Sequence, residues 1–374
     1  MELLFPQGLA VGEAFCNRYK ERTQLKENIE NNRHTVLVAP RRYGKTSLVT
    51  QVISELKVTY CTMDFLLTAT PKAVENKMVQ RVGDVLLKIL PRAKQAKLKI
   101  LQLFKALKPE LTLTAAGQKI KFYIDPENSF VETNICDLLM NLDKAAIAAK
   151  KRVVVFMDEF QQIGELKDKH VIEASIRHAV ERSKMVTYIF SGSNRHLLLQ
   201  MFNQQNRPFY HLCHVMPLFR IDDDEHITFI QKAANKRWCK ALPVSVVRTI
   251  LALSESHTYY INLICHFFFS KGIVPTQKAV EQFWRDYVQS QKSVISYDVA
   301  LLSNNQKTLL AALANSPTNQ PYSQDFLRKT NLTVASLKEA MKKLMQKDFV
   351  YKDRLDFVRL LDPAVRFFIA KLLH

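Results

Sequence analysis

Glycine is scarce in this chain, with 8 among 374 residues. That argues against Gly-rich linkers, collagen-like repeats and a β-sandwich crowded with tight turns. Long apolar runs are missing too. None reaches the roughly 18 residues that a membrane-spanning helix needs, and the best candidate, residues 264–269, is broken by His266. The opening Met1-Glu-Leu-Leu-Phe-Pro has neither a basic n-region nor an apolar core, so it does not read as a secretory signal. The 6 cysteines are dispersed, with no Cys-x-x-Cys pair. Their spacing predicts reduced thiols in a cytoplasmic protein, not a disulfide framework or a zinc ribbon. His211, Cys213 and His214 cluster, but on an apparent strand their side chains alternate faces and cannot all ligate one metal. Acidic residues are short as well: 35 Asp plus Glu face 54 Lys plus Arg, a net charge of +19. Such a balance favours partners bearing phosphates or acidic surfaces.

What is present suits a packed protein. Hydrophobic residues make up 47% of the chain, enough for more than one core, and the length predicts two or three domains. Residues 35–39 (Thr-Val-Leu-Val-Ala), 58–64, 153–157, 186–190 and 214–218 read as strands, and residues 45–56 as a helix. Near-continuous apolar strands separated by helices predict a parallel sheet covered on both faces. From Asp222-Asp223-Asp224-Glu225 onward the pattern turns helical, with Pro243 and Pro275 at helix starts. From residue 299 it reads helix, helix, helix and a hairpin over 349–360. The expected fold is α/β: a P-loop NTPase parallel-sheet core over residues 1–221, a helical lid subdomain over 222–298 and a C-terminal winged helix-turn-helix domain over 299–374.

The chemistry concentrates at Ala39-Pro40-Arg41-Arg42-Tyr43-Gly44-Lys45-Thr46-Ser47, which follows a strand and opens a helix. That is the setting a phosphate-binding loop requires. Backbone N–H groups at a helix N-terminus cradle phosphate oxygens. Gly44 lets the backbone approach, Lys45 places a charge on the β- and γ-phosphates, and Thr46 offers a hydroxyl to Mg²⁺. Ala39 stands where the usual motif has its first Gly, which strains the loop if that residue needs a positive φ. The strand over 153–157 runs into Asp158-Glu159, with Asp158 the expected metal-side carboxylate and Glu159 the group that polarises the attacking water. These two motifs lie more than a hundred residues apart, as expected if their strands are brought side by side. The strand over 186–190 ends in Ser191-Gly192-Ser193-Asn194-Arg195. Ser191, Ser193 and Asn194 are candidates to sense the γ-phosphate, or else form a plain strand-to-helix turn with an N-cap.

Taken together these residues resemble the archaeal-type ATPase family, a branch of the STAND and AAA-like P-loop NTPases. Phe15-Cys-Asn17-Arg18-x-x-Glu21-Arg22 is similar to the family's box near the adenine, which implies a nucleotide role for Arg18. Pro40-Arg41-Arg42-Tyr43-Gly44-Lys45-Thr46-Ser47 is similar to its phosphate loop, and Met157-Asp158-Glu159-Phe160-Gln161 to its acidic strand end. Ser191-Gly192-Ser193, Pro208-Phe209-Tyr210 and Tyr259-Tyr260-Ile261 also have counterparts. Two places depart. His211-Leu212 stands where many members carry Gly-Arg, leaving Arg207 or Arg195 as substitutes, and His257-Thr258 replaces a Gly-x-Pro turn. The resemblance implies ATP, not GTP, as the nucleotide, together with the helical lid and the winged helix.

The excess charge is localised. Residues 77–121 carry 11 basic and 2 acidic groups, and residues 299–374 carry 12 and 6. The first segment reads as an amphipathic helical insert with a solvated basic face that includes Lys88, Arg92, Lys94, Lys97, Lys99, Lys105 and Lys108. In the second, Leu337, Met341, Leu344 and Met345 mark the apolar side of a helix capped by Thr333 or Asn331, with Lys338, Lys342 and Lys343 outward. The expected protein binds ATP with Mg²⁺, hydrolyses it and acts as a nucleotide-driven switch. The alternatives are an ATP-gated DNA-binding regulator, or a scaffold whose winged helix binds protein.

Overall fold

A computed structural model of the chain describes residues 4–91, 93–105, 108–114, 117–122 and 131–372. Arg92 of the basic insert lies outside them. The chain forms two bodies. One comprises Arg18–Arg41 and Lys45–Leu218; the other comprises Met1–Asn17, Arg42–Gly44 and Phe219–His374. The first 17 residues and the tip of the phosphate loop group with the C-terminal part.

The first body is built on five parallel strands: β1 (Thr35–Val38), β2 (Thr59–Asp64), β5 (Val153–Asp158), β6 (Val186–Gly192) and β7 (His214–Pro217). Their order is β2-β5-β6-β1-β7. The phosphate-loop strand β1 and the acidic strand β5 are therefore not side by side: β6 runs between them, pairing Val36 with Phe190 and Phe156 with Ile189. β1 and β6 are buried along their whole length, as is Val153–Met157 of β5. Helices such as Lys45–Leu56 and Val131–Ala149 cover the sheet, which is why these strands carry no polar alternation. Asp143 is buried where β6 begins, and its Oδ1 accepts from Ser183 Oγ and from the N–H groups of Lys184, Met185 and Val186 at 2.8–3.0 Å. Four donors compensate the carboxylate's burial.

The basic insert differs from the expected all-helical segment. Helices Pro71–Ile89 and Lys94–Gln102 are followed by an antiparallel hairpin of β3 (Pro109–Thr114) and β4 (Gly117–Phe122). The alternation Lys119-Ile120-Lys121-Phe122, period two, carries that signal in the sequence.

The second body is helical until β8 (Val350–Lys352) and β9 (Val358–Leu360), which form the wing's hairpin. Acidic Asp223, Asp224 and Glu225 fill the first turn of Asp223–Trp238, where the helix dipole favours them. A single apolar core joins the lid helices to the winged helix, including Trp284 and Ile264 on one side and Leu309, Leu344 and Phe368 on the other. Phe5 enters it from the N-terminus, edge-on to Phe229. Thr333, not Asn331, caps Val334–Gln346 by accepting from Ser336 N–H; Asn331 closes the preceding helix with a left-handed φ. Among the described residues no helix is long and apolar enough to cross a membrane.

Candidate nucleotide site

β1 delivers the chain into the loop, and the helix Lys45–Leu56 begins at the lysine itself. The loop's left-handed residues are Arg42 (φ +63°) and Gly44 (φ +80°). Ala39 is not one of them, so its Cβ brings no strain and the missing first glycine is harmless to the turn. Lys45 is 7% exposed, and its Nζ donates to the carbonyls of Ala39 (3.0 Å) and Pro40 (2.9 Å). The ammonium is thereby held inside the curl of the loop. Arg41 is exposed, whereas Tyr43 is buried. The side chains of Arg42 and Tyr43 already have partners: Arg42 lies 4.0 Å from the centre of the Tyr259 ring, and Tyr43 packs edge-on against His257 at 5.1 Å. What these two residues offer a phosphate is backbone.

Across β6, the acidic pair is brought to the lysine helix. Thr46 Oγ1, 112 positions away in sequence, donates to Asp158 Oδ2 at 2.8 Å. Ser191 Oγ donates to Asp158 Oδ1, which also accepts from Glu159 N–H at 3.0 Å. Glu159 itself sits at a left-handed φ of +51°. Its Oε2 accepts from Gln161 Nε2 at 2.6 Å, from Ser193 Oγ at 2.7 Å and from Ser193 N–H at 3.3 Å. Burial raises its pKa, but the Gln161 and Ser193 hydrogen bonds and the Lys45 charge outweigh it, and the net shift is downward. Glu159 is therefore an anion at neutral pH.

The strand-end residues divide their work. Ser191 serves Asp158 and Ser193 serves Glu159, while Asn194 caps helix Arg195–Asn203 by accepting from Leu197 N–H. The N-cap reading of that turn falls to Asn194, while Ser191 and Ser193 are taken up by the two carboxylates. Gly192 between the two serines leaves room for Gln161: a Cβ there would lie 2.0 Å from Gln161 Oε1, so any side chain at 192 would force that amide to move. Gln161 is 2% exposed, and sequence reasoning did not single it out as the holder of Glu159. Phe160 fixes the pair from behind, packing at 4.7 Å on Phe190 and 5.3 Å on Phe209. Ser47 is buried in the first turn of the lysine helix. Arg18 is 3% exposed and donates to Glu21 at 3.3 Å, so its guanidinium is engaged within its own helix start.

His211 takes a left-handed φ of +54°, a backbone conformation that favours glycine, and Leu212 packs on the apolar core. Arg207, a candidate to replace the missing arginine, pairs with fully buried Glu173. Burial pushes the Glu173 pKa up to about 7, with the Arg207 charge opposing. Removing the arginine strands a buried carboxylate, so Arg207→Met should destabilise the fold by about 3–5 kcal/mol. A raised carboxyl pKa gives stability that is complete below about 4.5 and lost as pH rises through 7. Without Arg207 the folded pKa rises further and the loss continues to higher pH. Denaturant melts should therefore show a larger deficit for the variant at pH 9 than at pH 5; an equal deficit at both contradicts the pairing.

Residues 296–370 match a family model described as a probable winged helix domain. No curated protein matches the chain in sequence. Among solved structures, the chain is similar to a Walker-type ATPase of Pyrococcus abyssi, at 15% identity over 98% of this chain and 99% of that one, with a TM-score of 0.67. It is also similar to the ORC2 protein of Aeropyrum pernix in its ADPNP–ADP complexes, at 12% identity over 98% and 97%, with a TM-score of 0.55. At these identities the likeness is one of fold. The chain shares the fold of an archaeal Walker-type ATPase: a parallel α/β P-loop core with a winged helix domain at its C-terminal end.

Proposed function

We propose that this protein binds ATP with Mg²⁺ at the loop 39–47, hydrolyses it and works as a nucleotide-driven switch. The observation that carries the reading is the convergence of Thr46 Oγ1 and Ser191 Oγ on Asp158, with Glu159 held one residue beyond it. Hydroxyl and carboxylate oxygens are hard donors of the kind Mg²⁺ selects, and Thr46 and Asp158 are the residues that would hold it. The ion, when bound, neutralises charge developing on the phosphates. Lys45 releases the Ala39 and Pro40 carbonyls for phosphate oxygens, and the N–H groups of 42–47 complete the cradle. Glu159, anionic and hydrogen-bonded through Oε2, orients a water and takes its proton. Free thiols at all 6 cysteines support a reducing, cytoplasmic setting. The test is phosphate release from purified protein with and without Mg²⁺, beside the Lys45 and Glu159 variants.

A second reading is favoured by the winged helix. Lys338, Lys342 and Lys343 are exposed on Val334–Gln346, with Lys343 4.0 Å from Glu339, and in the wing Arg359 pairs with Asp353, Arg354 with Asp222, and Lys352 lies near Asp356. If this domain binds DNA, the helix lysines neutralise its phosphates. Replacing all three by Ala should then lower the salt-dependence slope of DNA affinity by about 3, roughly 0.9 for each phosphate no longer neutralised. Fluorescence anisotropy on a duplex across a salt series measures this. An unchanged slope removes DNA and leaves a protein partner for this face.

A further inference from the structure

The tip of the phosphate loop, Arg42–Gly44, packs as part of the body that also holds the winged helix. A residue that links them is Arg220, just past β7. Its Nε donates to Tyr43 Oη at 3.3 Å. One Nη donates to Glu255 at both its carbonyl (2.7 Å) and its Oε2 (2.9 Å), and the other to the carbonyl of Leu361 (3.0 Å), immediately after β9. The guanidinium also lies 5.1 Å from the centre of the Tyr351 ring in β8. Glu255 closes the set by accepting from Arg366 at 2.8 Å, in the helix that follows the wing. Arg220 is therefore one planar fork with three addresses: the loop, the end of a lid helix and the wing's hairpin.

That geometry has a mechanical consequence. A guanidinium's donors are fixed relative to one another, so it cannot shift to follow one acceptor without loosening the others. Tyr43 stands between the loop's two left-handed residues, and its ring is held against His257. A phosphate that draws the N–H groups of 42–44 inward resets the Tyr43 hydroxyl, and Arg220 carries that change to the Leu361 carbonyl. We infer that Arg220 is a positioning residue that couples the state of the phosphate loop to the order of the winged-helix hairpin. The inference rests on the ATP-binding reading above and adds the route by which the switch is transmitted.

Hydrogen exchange on the full chain tests it, with and without Mg²⁺ and a non-hydrolysable ATP analogue, in parallel with a binding titration. In wild type, the analogue should slow exchange across 349–361 by about fivefold, the signature of a local opening equilibrium shifted by ligand. Arg220→Gln should abolish that difference while analogue affinity stays within about threefold, under 1 kcal/mol on the tenfold-per-1.4 scale. Arg220→Lys, which keeps the charge but not the fork, should restore less than half of it. If Arg220→Gln does not fold, Glu255→Gln supplies the same test by loosening the arginine from its carboxylate. A merely structural Arg220 would speed exchange equally with and without analogue and leave the nucleotide-dependent difference intact, which overturns the coupling. So does a wild type that binds the analogue with no change at 349–361. A wild type that binds nothing in the titration overturns the ATP reading itself, and the coupling with it.

Discussion

Lys45→Ala weakens ATP binding by about 10- to 150-fold, the equivalent of a charged hydrogen bond worth roughly 1.5–3 kcal/mol. The lysine's position makes the effect large. Its ammonium is nearly buried and already sits in the curl of the loop, held by the Ala39 and Pro40 carbonyls. A phosphate reaching the loop gains a preplaced, desolvated charge without first ordering a flexible side chain. The basic residues nearby do not compensate: Arg41 is solvent-exposed, and Arg42 is stacked on Tyr259. Titration with a fluorescent ATP analogue reads the change, and thermal melts separate it from the stability lost when two carbonyls lose their donor. Equal affinities for wild type and variant would show that the loop does not hold phosphate.

Glu159→Gln lowers turnover by about 10²–10⁴-fold, the range for removing a positioned general base, while ATP still binds. Glutamine fills the same volume and can keep the Ser193 hydrogen bond, so the loss is one of proton acceptance and not of shape. The pH profile sharpens the test. Because the Glu159 pKa is held below its ordinary 4.5, the base stays ionised throughout the neutral range. Wild-type turnover should therefore show no acid limb until pH falls below about 4.5. Single-turnover phosphate release at fixed Mg²⁺ measures both. Turnover in the variant equal to wild type would remove Glu159 from the chemistry and leave a nucleotide-gated switch without hydrolysis.

The strands at 35–38, 59–64, 153–158, 186–192 and 214–217 and the helix from Lys45 were legible because each is local. A short run of Val, Ile, Leu and Phe with no polar alternation has few options other than a strand buried on both faces. The phosphate loop was legible for the same reason, since strand, turn and helix start lie within 13 residues, 35–47. The basic insert was half legible. Its lysines among leucines announced helix, and the period-two pattern of residues 118–122 is too short to stand out beside them.

Among the candidates, Ser191, Ser193 and Asn194 are equivalent in sequence, but which would hold a carboxylate and which would cap a helix depended on where β6 lies relative to β5. Gln161 and Gly192 form one interlocked pair, visible only once the strand ends meet. Arg207 looked available and is instead engaged by Glu173 inside its own body.

The sequence by itself determined which chemical groups this protein brings: a lysine and threonine at a helix start, two carboxylates at a strand end, and hydroxyls on a third strand. Backbone preference and burial act over a few residues, and those groups sit in contiguous motifs. Only the tertiary structure decided their assignments. It placed β6 between the two motif strands, gave Asp158 to Thr46 and Ser191, gave Glu159 to Gln161 and Ser193, and tied Tyr43 to the winged helix through Arg220. Thr46 and Asp158 stand 112 positions apart, and Arg220 reaches acceptors 177 positions before it and 141 after it. No local rule spans such distances; each is set by packing within its own body, the covered sheet for the first and the helical core for the other two.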